Sequence, residues 1–409
     1  MSEIFIYDTK YEGEDAKSKI ARVRSLMLEK GMDVLKTFVP EEAAWLLNLR
    51  GSGAGEEYAD DLKKFTPVFL CELEMSAGEI KFYVNQEIPE EVASYLDDLR
   101  VSVLQKDLEE REINIEEDKT LISELMMIKN ETQIQNMKEV FLDDGLVLTK
   151  FIRWIKTEAK IGSLTEIDVK KKMEELRSEV ADYKMPSFET IPAYNESAAD
   201  IHYHVTKESN KVIKPEGLIM VDTGGQYLRG TTDTTRTIAL GPVTDKMKEM
   251  YTAVLKGHID VVLSKVEEGT TGDVLDETAR KYIKEKGLDY KHGTGHGLGH
   301  FLNVHEYPRR VFNEKTKFYE NMTFSNEPGV YLEGEFGVRI ENIVRSVKKN
   351  GEICFENFTL VPYEKELILQ EKLSEDEKEY LRDYHEKLLK VFKDYLNDEE
   401  YKWLKEQRI

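Results

Sequence analysis

Cysteine is almost missing from this chain of 409 residues: there are two, Cys71 and Cys354, far apart and in unrelated contexts. A disulfide framework is therefore not expected, and a reducing cytosol fits. Long apolar runs are missing as well. No stretch approaches the ~20 residues that a bilayer-spanning helix needs. The opening residues, "MSEIFIYDTKYEGEDAK", are charged early and show no apolar core followed by small residues, so no signal peptide is expected. Positive charge is in deficit: 58 Lys and Arg face 80 Asp and Glu, a net charge of −22. So acidic a surface repels phosphate backbones and anionic lipid, which argues against nucleic acid and membranes as partners. Histidine is scarce too, with eight in the whole chain.

What is present describes a soluble globular protein, with 40% hydrophobic and 34% charged residues. That composition supplies a large core, and the length favours two domains. Residues 1–115 read as a mixed α/β unit. Ile20, Val23, Leu26 and Met27 recur at helical spacing, with Gly31 as a stop. "DVLKTFV", "TPVFLCELEM" and "EIKFYVN" read as strands. Residues 106–120 are highly charged, lack periodicity and read as a linker. A long helix is expected from Asn130, which has Gln133 three residues on as a capping box. A second helix covers 164–180. The strands "GLIMVDTGGQY" and "GTTDTTRTIAL" follow, then helices over 245–269 and 272–287. Three further strand-like stretches, "MTFSNEPGVYL", "GVRIENIVRSV" and "ICFENFTLVPY", lead to a helical tail from Ser374. Helix–helix–strands, twice over, predicts an α+β domain of two similar halves.

Four of the histidines crowd into "YKHGTGHGLGHFLNVHE", residues 290–306. Its glycines do not make a dinucleotide fingerprint, because the required third glycine falls on Leu298 or Leu302. No P-loop Lys-Ser or Lys-Thr follows. His305-Glu306 lacks the second histidine of the helical zinc-protease motif. The segment is either a solvated turn or a place where backbone approaches a ligand. In "VDTGGQYLRGTTDTTRT", Asp222 ends one strand and Asp233 lies in the next. A hairpin would set their carboxylates side by side, either facing solvent or with a cation or proton between them. Glu327 in "SNEPG" and Glu341 in "RIEN" sit in apolar, strand-like surroundings, on an exposed face or bound to something. Arg339, two residues before Glu341, would share its face of the strand and hold a metal-binding carboxylate in place. Two Asp, two Glu and one His suit a pair of hard or borderline divalent ions, sharing bridging carboxylates and serving metal-assisted hydrolysis. A structural zinc would call for cysteines or several histidines.

These motifs resemble the pita-bread metallopeptidases, and among them the Xaa-Pro aminopeptidases (aminopeptidase P) of the cytosolic branch. "GTTDTTRT", "HGTGHGLGHFLNVHE", "SNEPG" and "RIEN" carry the resemblance, which extends over 120–409. "EEAAWLLNLRG" is similar to the domain that precedes the catalytic one, and "FENFTLVPY…YHEKLLK…YKWL" to the branch's C-terminal extension. The resemblance implies an α+β pita-bread catalytic domain over 116–365, a creatinase-like N-terminal domain over 1–115 and a helical extension over 366–409. It implies five metal ligands, Asp222, Asp233, His296, Glu327 and Glu341. Asp222 would serve one ion, His296 and Glu327 the other, with Asp233 and Glu341 bridging. Glu327 would shuttle the proton. His202, His292 and His305 would bind substrate and stabilise the tetrahedral intermediate, with Arg339 also on the substrate side. The expected cofactor is two divalent ions, manganese first, then cobalt or zinc. The expected substrates are short peptides beginning Xaa-Pro, cleaved in the cytoplasm by a homodimer.

The sequence departs from the branch in three ways. It reads as lacking the first of three domains. "NESAADIHYHV" has no glycine before His202 and carries His204 after the tyrosine. "VHEYPRR" has Tyr307 where glycine is frequent. His204, His258, His300 and His385 receive no role, His258 reading as packing or surface. Three alternatives remain: a prolidase restricted to dipeptides, a non-catalytic pita-bread protein that binds a partner, and a creatinase-like hydrolase without metal. The five intact ligands disfavour the last two.

Overall fold

The computed structural model describes residues 3–52, 64–109, 114–201 and 203–409. The N-terminal unit is built on a four-stranded sheet. β1 (Ile4–Ile6) pairs with β3 (Leu49–Gly51), while β2 (Val34–Thr37), β4 (Cys71–Ser76), β5 (Ile80–Val84) and β6 (Val101–Gln105) form the larger sheet in the order β2-β4-β5-β6. Its one parallel pair, β5 with β6, is bridged by the helix Glu90–Asp98. The predicted helix over Ile20, Val23 and Met27 is Ala16–Glu29, and those three side chains enter the core. That core, around Trp45, Phe69, Phe82 and Leu96, also takes in Leu121, Ile122 and Met126, and reaches Leu302 of the histidine segment.

The charged stretch read as a linker is not wholly irregular. Ile115–Asp118 is helical, and Thr120 caps the helix Leu121–Met126. The buried Glu42 accepts from the Thr120 and Ser123 amides and hydroxyls at 2.5–3.1 Å, which ties this region down despite its polar sequence. Residues 110–113 of that stretch lie outside the described residues.

The larger unit opens with the helix Glu131–Glu158, capped by the Asn130–Gln133 box, and continues with Glu166–Ser178. Strands β7 (Tyr183–Pro186), β8 (Ile191–Tyr194), β9 (Leu218–Thr223), β10 (Gly225–Tyr227), β11 (Gly230–Thr231) and β12 (Thr234–Ala239) follow. They divide into two sheets, β11-β10-β7 and β12-β9-β8. The second half repeats the order, with helices Asp245–Leu263 and Asp273–Lys284. Then come β13 (Val266–Glu267), lying between those helices, and β14 (Thr323–Asn326), β15 (Gly329–Leu332), β16 (Phe336–Arg339), β17 (Asn342–Lys349) and β18 (Glu352–Asn357). These pair as β13-β18-β17-β14 and β15-β16. The C-terminal helices Glu375–Phe392 and Asp398–Glu406 bury Leu381, Leu388, Phe392 and Leu404 against Leu218, Val254 and Val338. Among the described residues no helix is long and apolar enough to cross a membrane.

Five stretches expected to run as single strands are broken: "GLIMVDTGGQY" splits between β9 and β10 at Gly224, and "GTTDTTRTIAL" between β11 and β12 at Thr232-Asp233. "MTFSNEPGVYL" splits between β14 and β15 at Glu327-Pro328, and "GVRIENIVRSV" splits between β16 and β17 at Ile340-Glu341. "ICFENFTLVPY" keeps strand geometry only to Asn357. Asp233 stands in the link before β12 rather than within a strand. Carbonyls and amides freed at these bends turn from the ladder, and a carboxylate sits at three of them.

Candidate metal centre

β9 and β12 are antiparallel with Asp222 opposite Thr235. Asp233, two residues before Thr235, therefore shares the face of Asp222 as its diagonal neighbour. Glu341 meets this face from the β16–β17 break: its amide bonds the Thr235 carbonyl at 3.1 Å, and its Oε2 accepts from Thr235 Oγ1 at 2.7 Å. The histidine segment runs alongside β14. A Cβ at Gly295 would lie 1.9 Å from the Ser325 carbonyl oxygen, so no other residue lets the chain pass there. Ser325 Oγ accepts from the His296 amide at 2.9 Å and donates to Glu327 Oε1 at 3.0 Å.

Asp233, His296 and Glu341 each present a ligand atom, all within 4.8 Å of one another. His296 Nδ1 faces the Gly297 carbonyl at 3.0 Å, which fixes the proton on Nδ1. Its Nε2 then points a lone pair at Asp233 Oδ2 and Glu327 Oε1, 3.4 and 3.5 Å away. Lone pairs meeting at that range repel unless a proton or a metal cation stands between them. Oδ1 of Asp222 and of Asp233 are buried without a hydrogen-bond partner. Burial and the neighbouring Asp222 and Glu327 push the Asp233 carboxyl well above its ordinary range. Burial, Asp233, Glu327 and Asp222 do the same to Glu341. These groups fit divalent metal: an acidic, oxygen-rich cage with one imidazole and donor atoms left unsatisfied.

Arg339 is almost wholly buried and bonds the carboxylate of Asp222, not that of Glu341. Its Nη1 donates to the Tyr331 hydroxyl at 2.8 Å and its Nε to Thr235 Oγ1 at 3.2 Å. The expected shared face with Glu341 is absent because β16 ends at Arg339. The Tyr331 hydroxyl continues to His292 Nε2 at 2.8 Å, and His292 Nδ1 lies 3.9 Å from Glu327 Oε2. Burial lowers the His292 pKa against the pull of Glu327. His305 stands with its ring centroid 4.1 Å from that of His296. Burial, His296 and Arg309 hold it neutral. His202 lies outside the described residues.

Sequence reasoning missed Ser325, Thr235 and Tyr331. The first two stand two residues from Glu327 and Asp233, so period-2 facing would have found them. Tyr331 lies in a separate strand and carries no such signal. His258 is packing, fully buried between the Asn326 carbonyl and the Tyr363 hydroxyl, each at 3.1 Å.

Residues 135–347 match the model of metallopeptidase family M24, residues 1–184 that of the creatinase/prolidase N-terminal domain, and residues 352–408 that of the C-terminal region of peptidase M24. The chain belongs to metallopeptidase family M24. Its relatives there include Xaa-Pro aminopeptidase 1 of Dictyostelium discoideum, 35% identical over 99% of this chain and 70% of that protein. A probable Xaa-Pro aminopeptidase P of Laccaria bicolor is 33% identical over 94% of this chain and 65% of its own length. The crystal structure of X-prolyl aminopeptidase from Caenorhabditis elegans, described as a cytosolic enzyme with a di-nuclear active site, superposes with a TM-score of 0.90. It is 26% identical, over all of this chain and 73% of that one. Xaa-Pro dipeptidase from Bacillus anthracis shares the fold at a TM-score of 0.65 and 24% identity.

Proposed function

We propose that this chain is a two-metal aminopeptidase that releases the N-terminal residue from peptides with proline in second position. The observation that supports the reading is the His296 Nε2 aimed into a group of buried carboxylates of which Asp222 is bonded by Arg339, while Asp233, Glu327 and Glu341 have no arginine or lysine bonded to them among the described residues. Asp222, Asp233, His296, Glu327 and Glu341 would hold the metals. When bound, a pair of divalent ions supplies Lewis-acid polarisation of the scissile carbonyl and lowers the pKa of a water to near neutrality.

The chain's own residues supply the remaining chemistry. Glu327 takes the proton from the attacking water and delivers it to the proline nitrogen, which as a tertiary amide leaves only once protonated. Ser325 orients that carboxylate through Oε1, leaving Oε2 on the side of His292. His305, held neutral, donates an N–H to the oxyanion, with His202 as a second donor. Arg339 serves this reading by fixing Asp222 rather than by touching peptide. Manganese is the proposed metal and a homodimer the proposed assembly; the cytoplasm is the proposed compartment, the worm enzyme being described as cytosolic. The domains are proposed at 1–115, 116–365 and 366–409.

Arg-Pro-Pro, Arg-Pro and Arg-Ala-Ala, offered to metal-stripped protein with manganese restored, test the reading. Metal-dependent release of arginine from Arg-Pro-Pro is expected. Cleavage of the dipeptide alone would make the protein a prolidase, and cleavage of Arg-Ala-Ala a broader aminopeptidase.

A further inference from the structure

Between His296 and His305 the chain makes a turn closed by its own Gly299 amide on the Asn303 carbonyl at 3.0 Å, with Gln226 Nε2 on the Leu302 carbonyl at 2.8 Å, but neither bond accounts for the backbone at Phe301. Phe301 has a φ of +49°, left-handed backbone that a bulky residue seldom adopts. Such strain persists only where the surroundings impose it. Here the imposing group comes from the N-terminal unit. Arg50, on β3 and wholly buried, donates from Nε to the Phe301 carbonyl at 2.7 Å and from Nη2 to the His300 carbonyl at 3.2 Å. Its Nη1 donates to Leu49 and Ala44 carbonyls at 2.9 and 3.3 Å, which fixes the fork in place. Tyr7 lies beneath the guanidinium, 4.3 Å from ring centroid to Cζ, and its hydroxyl stands 3.3 Å from His300 Nδ1. A second hold lies two residues on. Glu41 Oε1 accepts from Asn303 Nδ2 at 2.7 Å, and Asn303 Oδ1 accepts from the His305 amide at 3.0 Å.

We propose that Arg50 is a positioning residue of the active site, locking the strained turn at His300–Phe301 and thereby setting where His296 and His305 stand. The inference rests on the functional reading of those two histidines. Its charge helps hold Glu12 ionised, but a lysine would supply charge as well. Glu12, which Arg50 Nη2 reaches at 3.2 Å, already has Lys19 Nζ at 2.6 Å. What only arginine provides is a planar fork spanning two successive carbonyls and a third partner, which a lysine ammonium cannot match.

Arg50→Lys keeps the cation and removes the fork. Its kcat on Arg-Pro-Pro should fall by about a hundredfold with KM little changed, as for a misplaced reacting group. The visible spectrum of the cobalt-loaded protein should shift as the His296 nitrogen moves, while thermal unfolding stays a single transition. Arg50→Ala should regain part of its kcat and spectrum in millimolar guanidinium, but not in methylammonium at equal ionic strength. Wild-type kcat and cobalt spectrum in Arg50→Lys would overturn the proposal. So would a loss that merely tracks the unfolded fraction and ignores guanidinium, which assigns Arg50 to stability alone. If the wild-type protein cleaves none of the peptides, the functional reading fails, and the cobalt spectra still decide what Arg50 does.

Discussion

Glu12 and Asp233 are both acids withdrawn from water, 1% and 3% exposed, yet their carboxyl groups are pushed in opposite directions. Burial alone would raise Glu12, but Lys19 and Arg50 overcome it and hold the pKa below its ordinary value. At Asp233 burial acts with Asp222 and Glu327, and the nearby arginines do not offset them. The first cluster is complete within the chain. Arg50 and Gln133 join it from opposite units, with Gln133 Nε2 3.2 Å from Glu12 Oε1. The second is left short of positive charge. A buried acid with its cations built in is an anchor, whereas one left short of them suits the proposed metal.

The largest effect expected is on turnover. Glu327→Gln should lower kcat by at least about a thousandfold, the range for loss of a proton-transfer group, with circular dichroism unchanged. Activity near wild type would remove Glu327 from the reaction. Glu12→Gln strands Lys19 and Arg50 without their anion and should cost about 3–5 kcal/mol in urea unfolding. Asp233→Asn should do the opposite, stabilising the metal-free protein by removing an uncompensated acid. Manganese at a hundred times its Kd should add about 2.7 kcal/mol to wild type and to Glu12→Gln, and less to Asp233→Asn. Two substitutions of the same sign would erase the distinction between the clusters.

Acidity separates them further. The raised Asp233 and Glu341 favour the folded, metal-free state below their ordinary values of 3.8 and 4.5, and that contribution is lost as pH climbs through the raised values. Metal-free protein should therefore lose stability as pH climbs above the ordinary carboxylate range, and manganese should abolish the loss. Glu12 works the other way, its contribution disappearing as pH falls below 4.5. His258 and His300, both lowered to about 3 by burial, add to acid sensitivity. Their share is full above 6.5 and is lost as pH falls toward 3. Thermal melts across pH 3–8, with and without manganese, measure both trends. The smallest effect is expected at Lys246, paired with Glu335 at 2.6 Å on the open surface. Lys246→Ala should change stability by under about 1 kcal/mol.

The helices were legible because their signals are local. The Asn130–Gln133 box and the Ile20–Val23–Met27 stripe each specify structure within a few residues. The five proposed ligands were legible as motifs, but not the backbone that carries them. Asp233, Glu327 and Glu341 each fall at a break in a run that reads as continuous strand, because apolar residues on both sides hide the bend. Local rules are expected to fail where function needs an irregular backbone. Arg50 was invisible for a different reason. Its partners, the carbonyls of His300 and Phe301, belong to the other unit, and no periodicity links them.

The proposed cage would be assembled from β9, the link before β12, the histidine segment and two inter-strand breaks, pieces remote from one another along the chain. None of these pieces alone offers a divalent ion more than one or two weak ligands. Capture of metal must then follow the docking of the last strands and cannot seed it. Manganese should leave the refolding rate unchanged and slow unfolding, so that it acts as a latch closed at the end of folding.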